Sequence, residues 1–278
     1  MPQPNQCPNP VESERNASDD PVGVFDSGIG GLTVLREIRC ELPAEHLLYV
    51  ADSGHAPYGD KPQAAVEARA RAVTEFLIAQ GAKAIVIACN SATGAAAMSL
   101  RERLDLPIIA MEPALKPAIA MTRSGVIGVL ATSRTLASDK FEALRGRFDG
   151  HARVLVQPCP GLVECIEAGD LHGDSTRALI ADYVLPLIAH GADTLVLGCT
   201  HYPLVRALIQ DIAGPGVTIT DAGTAVARQL RYRLTQARLL STRASAVDAR
   251  FWSSGDLDQA TAMIGDLWEQ SVSVQRLP

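Results

Sequence analysis

A duplicated α/β fold is the architecture this sequence predicts: two pseudo-symmetric domains with largely parallel sheets flanked by helices, and an active site in the cleft between them. Three observations carry it. Short apolar runs rich in Val, Ile and Leu alternate with segments of helical periodicity along most of the chain, the pattern of a parallel sheet covered by helices. Several runs end in polar turns holding Cys, Ser, Thr, Asp or Gly, at the sheet edge where open α/β folds bind ligands. Two blocks also recur in the same order. Gly81 to Asn90 matches Gly191 to Thr200 without a gap, and Val22 to Ser27 matches Ile127 to Thr132. Repetition at nearly constant spacing marks a duplicated unit.

Composition fits such a fold. The 278 residues are 47% apolar and 20% charged, as expected of a globular enzyme with a filled core. The net charge of −6 gives no reason to expect nucleic acid or anionic lipid as a partner. No apolar run approaches the roughly 18 residues that a membrane span needs. The six cysteines show no CxxC spacing, so free thiols in a reducing cytoplasm are expected, with no metal site. Residues 1–20 are polar and lack the apolar region of a secretory signal; they are expected to form a disordered tail.

The elements follow in order. Val22 to Phe25 reads as a strand, then come Asp26, Ser27 and glycines at 28, 30 and 31, then a helix from Leu32. The plain reading of these glycines is a tight turn needing positive φ. An Asp ahead of them would repel a phosphate and suits an ammonium or a mobile proton. His46 to Ala51 is the next strand, opening into a loop with Pro57, Tyr58 and Gly59. Gln63 to Gln80 is an amphipathic helix that Gly81 ends. Lys83 to Ala88 is a strand delivering Cys89, Asn90, Ser91 and Thr93, followed by an Ala-rich helix. Pro107 to Glu112 is a fourth strand, and Pro113 and Pro117 suggest a change of direction.

The pattern then begins again. Ser124 to Leu130 is a strand with Thr132 at its tip, and a helix starts near Ser138. Arg153 to Val156 is a strand, Gly161 to Gly169 carries Glu167, and Thr176 to His190 is a helix. Ala192 to Leu197 is a strand running into Cys199, Thr200, His201, Tyr202 and Pro203, with a helix over Leu204 to Ile209. Val217 to Asp221 is a strand and Thr224 to Leu240 a helix. The chain closes with a strand at Ala249 to Ser254, a helix at Asp258 to Glu269 and a strand at Val272 to Val274.

The repeat decides the chemistry. One thiol at a cleft suggests a nucleophile. Two thiols related by a pseudo-twofold, Cys89 and Cys199, can take a proton from one face of a carbon and return one on the other, inverting a stereocentre. A free thiol has a pKa of roughly 8.5, so a modest shift supplies thiolate near neutrality. The hydroxyls of Ser27, Ser91, Thr93, Thr132 and Thr200 are candidates to hold the substrate carboxylate. Asp26 is the candidate partner of Cys89. His201, with Glu167 near, is that of Cys199. Cys159, between two prolines, is a candidate for the cleft wall.

The residues from Val24 to Gly31, Pro57-Tyr58-Gly59, Ala88 to Thr93, Glu112-Pro113 and Gly198 to Pro203 together resemble the cofactor-independent glutamate racemases of bacterial cell-wall synthesis, within the aspartate/glutamate racemase superfamily. The resemblance runs from about 22 to 260. It implies two α/β domains, the first over 21–113 completed by 223–278 and the second over 114–222. It implies interconversion of L- and D-glutamate for peptidoglycan, with no pyridoxal phosphate and no metal. Cys89 becomes the thiol for the D-isomer's proton and Cys199 for the L-isomer's. Asp26, Glu167 and His201 match the assisting positions. Asp26, Ser27, Tyr58, Gly59, Asn90, Ser91, Thr200 and His201 match the substrate-binding ones. A cytoplasmic homodimer is expected. The alternative is aspartate, or another amino acid, in the same chemistry. Ser91 stands where the family usually has Thr, and Glu164 where it has Pro.

Overall fold

The computed structural model describes residues 17–244 and 248–278. β1 (Val22–Asp26) is buried at every position, as a central strand covered on both faces should be. It leads into α1 (Leu32–Glu41), which buries Leu32, Val34, Leu35 and Ile38 on one stripe. β2 (Leu47–Ala51) is followed by two short 3-10 turns, Ser53–His55 and Tyr58–Asp60. Then come α2 (Gln63–Ala79), β3 (Ala84–Ile87), α3 (Asn90–Arg103) and β4 (Ile108–Ala110). α4 (Leu115–Met121) occupies the stretch where two prolines predict only a change of direction. Pro117 sits in its first turn, where a backbone N–H has no partner within the helix, so the helix forms around it.

The second half repeats the scheme. β5 (Val126–Ala131) leads to α5 (Ser133–Leu136), capped by the Thr132 hydroxyl, and α6 (Asp139–Gly146), capped by that of Ser138. β6 (Arg153–Pro158), α7 (Leu162–Glu167), α8 (Asp174–Ala189) and β7 (Thr194–Leu197) follow. A 3-10 turn at Tyr202–Val205 precedes α9 (Arg206–Ala213), and β8 (Thr218–Thr220) ends the unit. The chain finishes with α10 (Gly223–Gln236), β9 (Ala249–Ser253), α11 (Leu257–Trp268) and β10 (Val274–Arg276).

Every strand pair is parallel. One sheet runs β10-β9-β2-β1-β3-β4 and the other β6-β5-β7-β8. Within the first, β2-β1-β3-β4 has the same order as the whole of the second. The repeat in the sequence is therefore a repeat of topology, with β1 matching β5 and β3 matching β7. The apolar core does not stop between the halves. One buried cluster runs from Val24 and Ile29 of the first half to Leu162, Leu195 and Tyr202 of the second.

Three differences from expectation have a clear structural outcome. α10 stops at Gln236 because Arg238 takes a left-handed φ of 56° and the Leu239 N–H turns back to the Leu234 carbonyl. The last strand is shifted to Val274–Arg276, in register with Phe251–Ser253. Most of the expected tail, residues 1–16 with Cys7, lies outside the described residues. Its last part is folded in: Ala17–Asp19 form a 3-10 turn, and the Ser18 carbonyl accepts from Lys83 Nζ at 2.5 Å. Lys83 in turn pairs with the buried Glu45 at 2.6 Å.

Candidate active site

Cys89 and Cys199 each stand two residues beyond a matching strand, β3 and β7. Parallel strands put both at the same edge of their sheets, and both thiols are buried. They line one cavity. Ser27, Tyr58 and Gly59 of the first half line it too, with Asn90 and Ser91 beside Cys89 and with Thr132, Thr200 and His201 of the second half. The cavity has room for about 10 Å³, on the order of a single water. A larger cavity of about 780 Å³, between the β4 edge and α10, contains neither thiol.

Cys89 is the N-cap of α3, and its sulfur accepts from the Ala92 N–H at 3.4 Å. Its thiol faces Ser27 Oγ at 3.8 Å. Asp26, at the end of β1, is fully buried. Its Oδ1 accepts from the Ser27 N–H at 2.6 Å, and its Oδ2 from Thr200 Oγ1 at 3.0 Å. Asp26 does not line the cavity; the geometry puts it behind Ser27 and Cys89. Burial raises its carboxyl above the ordinary range, against the pull of the His201 charge and of its donors. Cys89 also moves opposite to the modest downward shift expected of a catalytic thiol. Burial, then the Asp26 charge, pushes it well above a free thiol, with the Ala92 N–H opposing. At rest Cys89 thus holds its proton next to a carboxylate that takes protons readily.

The other thiol has a different partner. Cys199 Sγ lies 3.7 Å from His201 Nδ1, and His201 Nε2 lies 2.6 Å from Glu167 Oε1. Burial alone would lower the imidazole. Hydrogen bonds and charges from Cys199 and Glu167 outweigh it and hold His201 well above the usual range. Glu167 moves down: burial would raise it, but His201 and the Ile29 N–H, 2.7 Å from Oε1, outweigh that. Like Asp26, Glu167 stands behind the cavity wall.

The glycine turn explains how Glu167 and His201 reach these places. None of Gly28, Gly30 and Gly31 has a positive φ, so the conformational reason expected for them does not apply. What matters is the missing side chain. A Cβ on Gly28 would lie 1.9 Å from Glu167 Oε1, and one on Gly30 would lie 2.4 Å from His201 Nδ1. At Gly59 a Cβ would meet that of Thr132 at 2.9 Å. The second half enters where the first has no side chains.

Thr93 is not part of the cavity wall, because its hydroxyl accepts from the Met111 N–H at 3.3 Å. Glu112 is also elsewhere, 3.7 Å from Lys140 and 4.0 Å from Arg147. Cys159 lines a neighbouring recess with Thr132 and Val163, and burial pushes its thiol up to about 12. Sequence reasoning missed Thr135 and Val163, which line the cavity. Thr135 could have been found, since Thr132-x-x-Thr135 puts two hydroxyls on one helical turn. It also missed Asp52, a fully buried carboxylate at the end of β2. Asp52 accepts from Tyr58 OH at 2.5 Å, from Ser254 Oγ at 2.7 Å and from Arg69 Nε and Nη2 at 2.9 and 2.8 Å. The Tyr58 hydroxyl is thereby turned away from the cavity, leaving its ring and backbone as wall.

The remaining wall is suited to an α-amino acid. The buried Asn90 amide has no hydrogen-bond partner on either its nitrogen or its oxygen within the described residues. A buried amide of this kind calls for both an acceptor and a donor, which a carboxylate and an ammonium provide. Ser91, Thr132 and Thr135 form a hydroxyl cluster with contacts of 3.0 to 3.4 Å.

Known proteins resemble this chain along most of its length. Residues 22–230 match the family model described as Asp/Glu/Hydantoin racemase. A glutamate racemase of Ectopseudomonas mendocina is 58% identical over 250 residues, covering 90% of this chain and 95% of that protein. The crystal structure of a glutamate racemase isoform from Bacillus anthracis matches with a TM-score of 0.85 at 32% identity, covering 94% of this chain and 98% of that one. The glutamate racemase of Francisella tularensis, solved in complex with D-glutamate, matches with a TM-score of 0.81 at 27% identity, covering 94% and 98%.

Proposed function

The chain belongs to the Asp/Glu/hydantoin racemase family, and on that premise we propose that it works as a glutamate racemase. It interconverts L- and D-glutamate, and the D-isomer supplies peptidoglycan synthesis. The observation that carries the mechanism is that Cys89 and Cys199, from matching strands, line one cavity. One thiolate removes the α-proton from one face while the opposite thiol protonates the other. Asp26 receives and returns the proton of Cys89. His201, backed by Glu167, does so for Cys199, becoming charged as it takes the thiol's proton and neutral as it returns it. Asn90 and the hydroxyls of Ser27, Ser91 and Thr132 hold the charged ends of the substrate and oppose the build-up of carbanion charge. No cofactor enters these steps. Tyr58 and Gly59 supply wall and backbone. Likeness to the family is also the support for a cytoplasmic homodimer. No helix among the described residues is long and apolar enough to cross a membrane.

The test is turnover of L- and D-glutamate, and of both aspartates, in deuterated water. Two-thiol transfer predicts early product carrying solvent deuterium while the remaining substrate keeps its protium. Cys89→Ser and Cys199→Ser should each lower turnover in both directions by about 10²- to 10⁴-fold, the usual worth of a positioned acid or base; Cys159→Ser should not. Full activity in either of the first two variants, or a preference for aspartate, would sink the proposal.

A further inference from the structure

We propose that Thr200 is a positioning residue for the opposite thiol: its hydroxyl, carried by the second half, fixes the Asp26 carboxylate beside Cys89 across the closed cleft. This rests on the two-thiol reading above. Thr200 directly follows Cys199, so kinship and sequence would both attach it to the substrate or to its neighbouring thiol. The geometry connects it elsewhere. Its Oγ1 donates to Asp26 Oδ2 at 3.0 Å, between residues 174 apart in the chain. Both residues are buried. The other oxygen, Oδ1, is taken by the Ser27 N–H at 2.6 Å and Ser27 Oγ at 3.2 Å. Ser27 and Thr200 thus grip the carboxylate from opposite halves.

Thr200 is itself held from the first half. Thr33 Oγ1, on α1 next to the glycine turn, lies 3.1 Å from the Thr200 carbonyl and 2.9 Å from that of Gly30, so its proton is shared between the two. A hydroxyl has one proton to give. With that proton committed to Asp26, Thr200 offers the cavity only lone pairs, which suit the substrate's ammonium and not its carboxylate.

The arrangement has a mirror. Glu167, which serves Cys199 through His201, is held by the first half: Ile29 N–H reaches Oε1 at 2.7 Å and Ser53 Oγ reaches Oε2 at 3.3 Å. Each thiol's supporting carboxylate is therefore braced by the half it does not belong to. Opening the cleft loosens both braces together, so the proton-transfer groups come into alignment only as the substrate is enclosed.

The experiment compares Thr200→Val, which keeps shape and loses the donor, with Thr200→Ser, which keeps the donor. The readout is kcat/KM for both enantiomers, with primary isotope effects from α-deuterated L- and D-glutamate. The racemisation equilibrium constant is one, so kcat/KM must fall equally in both directions; a drop of roughly tenfold is expected for a lost bond to a charged acceptor. The isotope effects should split. The step at Cys89 becomes the slower one, so the effect rises for the enantiomer whose proton Cys89 removes and falls for the other. Thr200→Ser should restore both. A merely structural loss slows both steps and does not split them. Unchanged kcat/KM, isotope effects that move together, or no rescue by Ser would overturn the proposal. If Thr200→Val does not fold, Thr33→Val should give the same split in smaller measure, and its absence there counts equally against it. Full activity of Cys89→Ser would instead overturn the two-thiol reading, which separates the two failures.

Discussion

Glu167 Oε1 lies 2.6 Å from His201 Nε2, although the two residues are 34 apart in the chain. This bond adds to Cys199 in holding the imidazole's proton. With Glu167→Gln, burial is opposed by Cys199 alone and the imidazole would lose its proton at lower pH. The alkaline limb of the pH profile of kcat/KM should move toward neutrality, and kcat/KM at neutral pH should fall by roughly 10- to 100-fold, the worth of a charged hydrogen bond. An unshifted alkaline limb would mean that His201 is not the group being held.

Asp26 is expected to show a cost of function. Its folded-state pKa is raised, first by burial. A carboxyl raised in this way stabilises the fold fully below its unfolded value, roughly 3.9, and loses that contribution as pH rises through the folded value. Asp26→Asn can still accept from the Ser27 N–H and remains uncharged. It should melt higher than the parent at pH 8, with a smaller difference at pH 4, while racemisation is lost. Calorimetry at the two pH values checks it; a lower melting temperature at pH 8 would refute the account.

Gly30 tests the close approach of the halves. Gly30→Ala puts a Cβ within 2.4 Å of His201 Nδ1, and the buried ring has no room to retreat. The expected result is a loss of kcat larger than any change in KM, together with a destabilisation of about 1–3 kcal/mol, as for other overpacked sites. An Ala variant with parental kinetics would show that the ring can move without consequence.

Arg69 tests the wall. Arg69→Met leaves Asp52 charged and buried with only neutral or weakly held partners, at an expected cost of about 3–5 kcal/mol near neutral pH. The Asp52 carboxyl is held below its ordinary range: burial opposes this, and the hydrogen bonds from Arg69, Tyr58 and Ser254 overcome it. Such a group stabilises the fold above its unfolded pKa of roughly 3.9 and loses that as pH falls through the folded value. The gap between parent and variant should therefore narrow in acid. Denaturant melts at pH 7 and pH 3 measure it, and a gap of constant size would count against the ion-pair explanation.

The strands were legible because a parallel strand buried on both faces must be a short apolar run, as in Ala84–Ile87 and Thr194–Leu197. Their tips were legible because ligand chemistry gathers at that edge. The repeat gave more than either, since it tied Cys89 to Cys199 across 110 residues. What escaped notice depends on contacts between distant residues. Asp52 looks like a turn residue until Arg69 and Ser254 converge on it. The glycines at 28 and 30 look like turn formers until Glu167 and His201 are seen against them. Thr93 looks like its neighbours until helical rotation takes it round to Met111. α4 was hidden by Pro117, a breaker everywhere but in a first turn.

The small volume around the thiols has a consequence for repeated turnover. With both thiols buried and room for about one water between them, the chamber exchanges little with bulk solvent. In the two-thiol mechanism each conversion leaves the protons exchanged: the thiol that was bare is now covered, and the reverse. The enzyme that releases D-glutamate is thus primed for D-glutamate, not for the L-isomer it has just consumed. It has two forms between turnovers, and under strong one-way flux the slow event becomes the return from one to the other after the chamber opens.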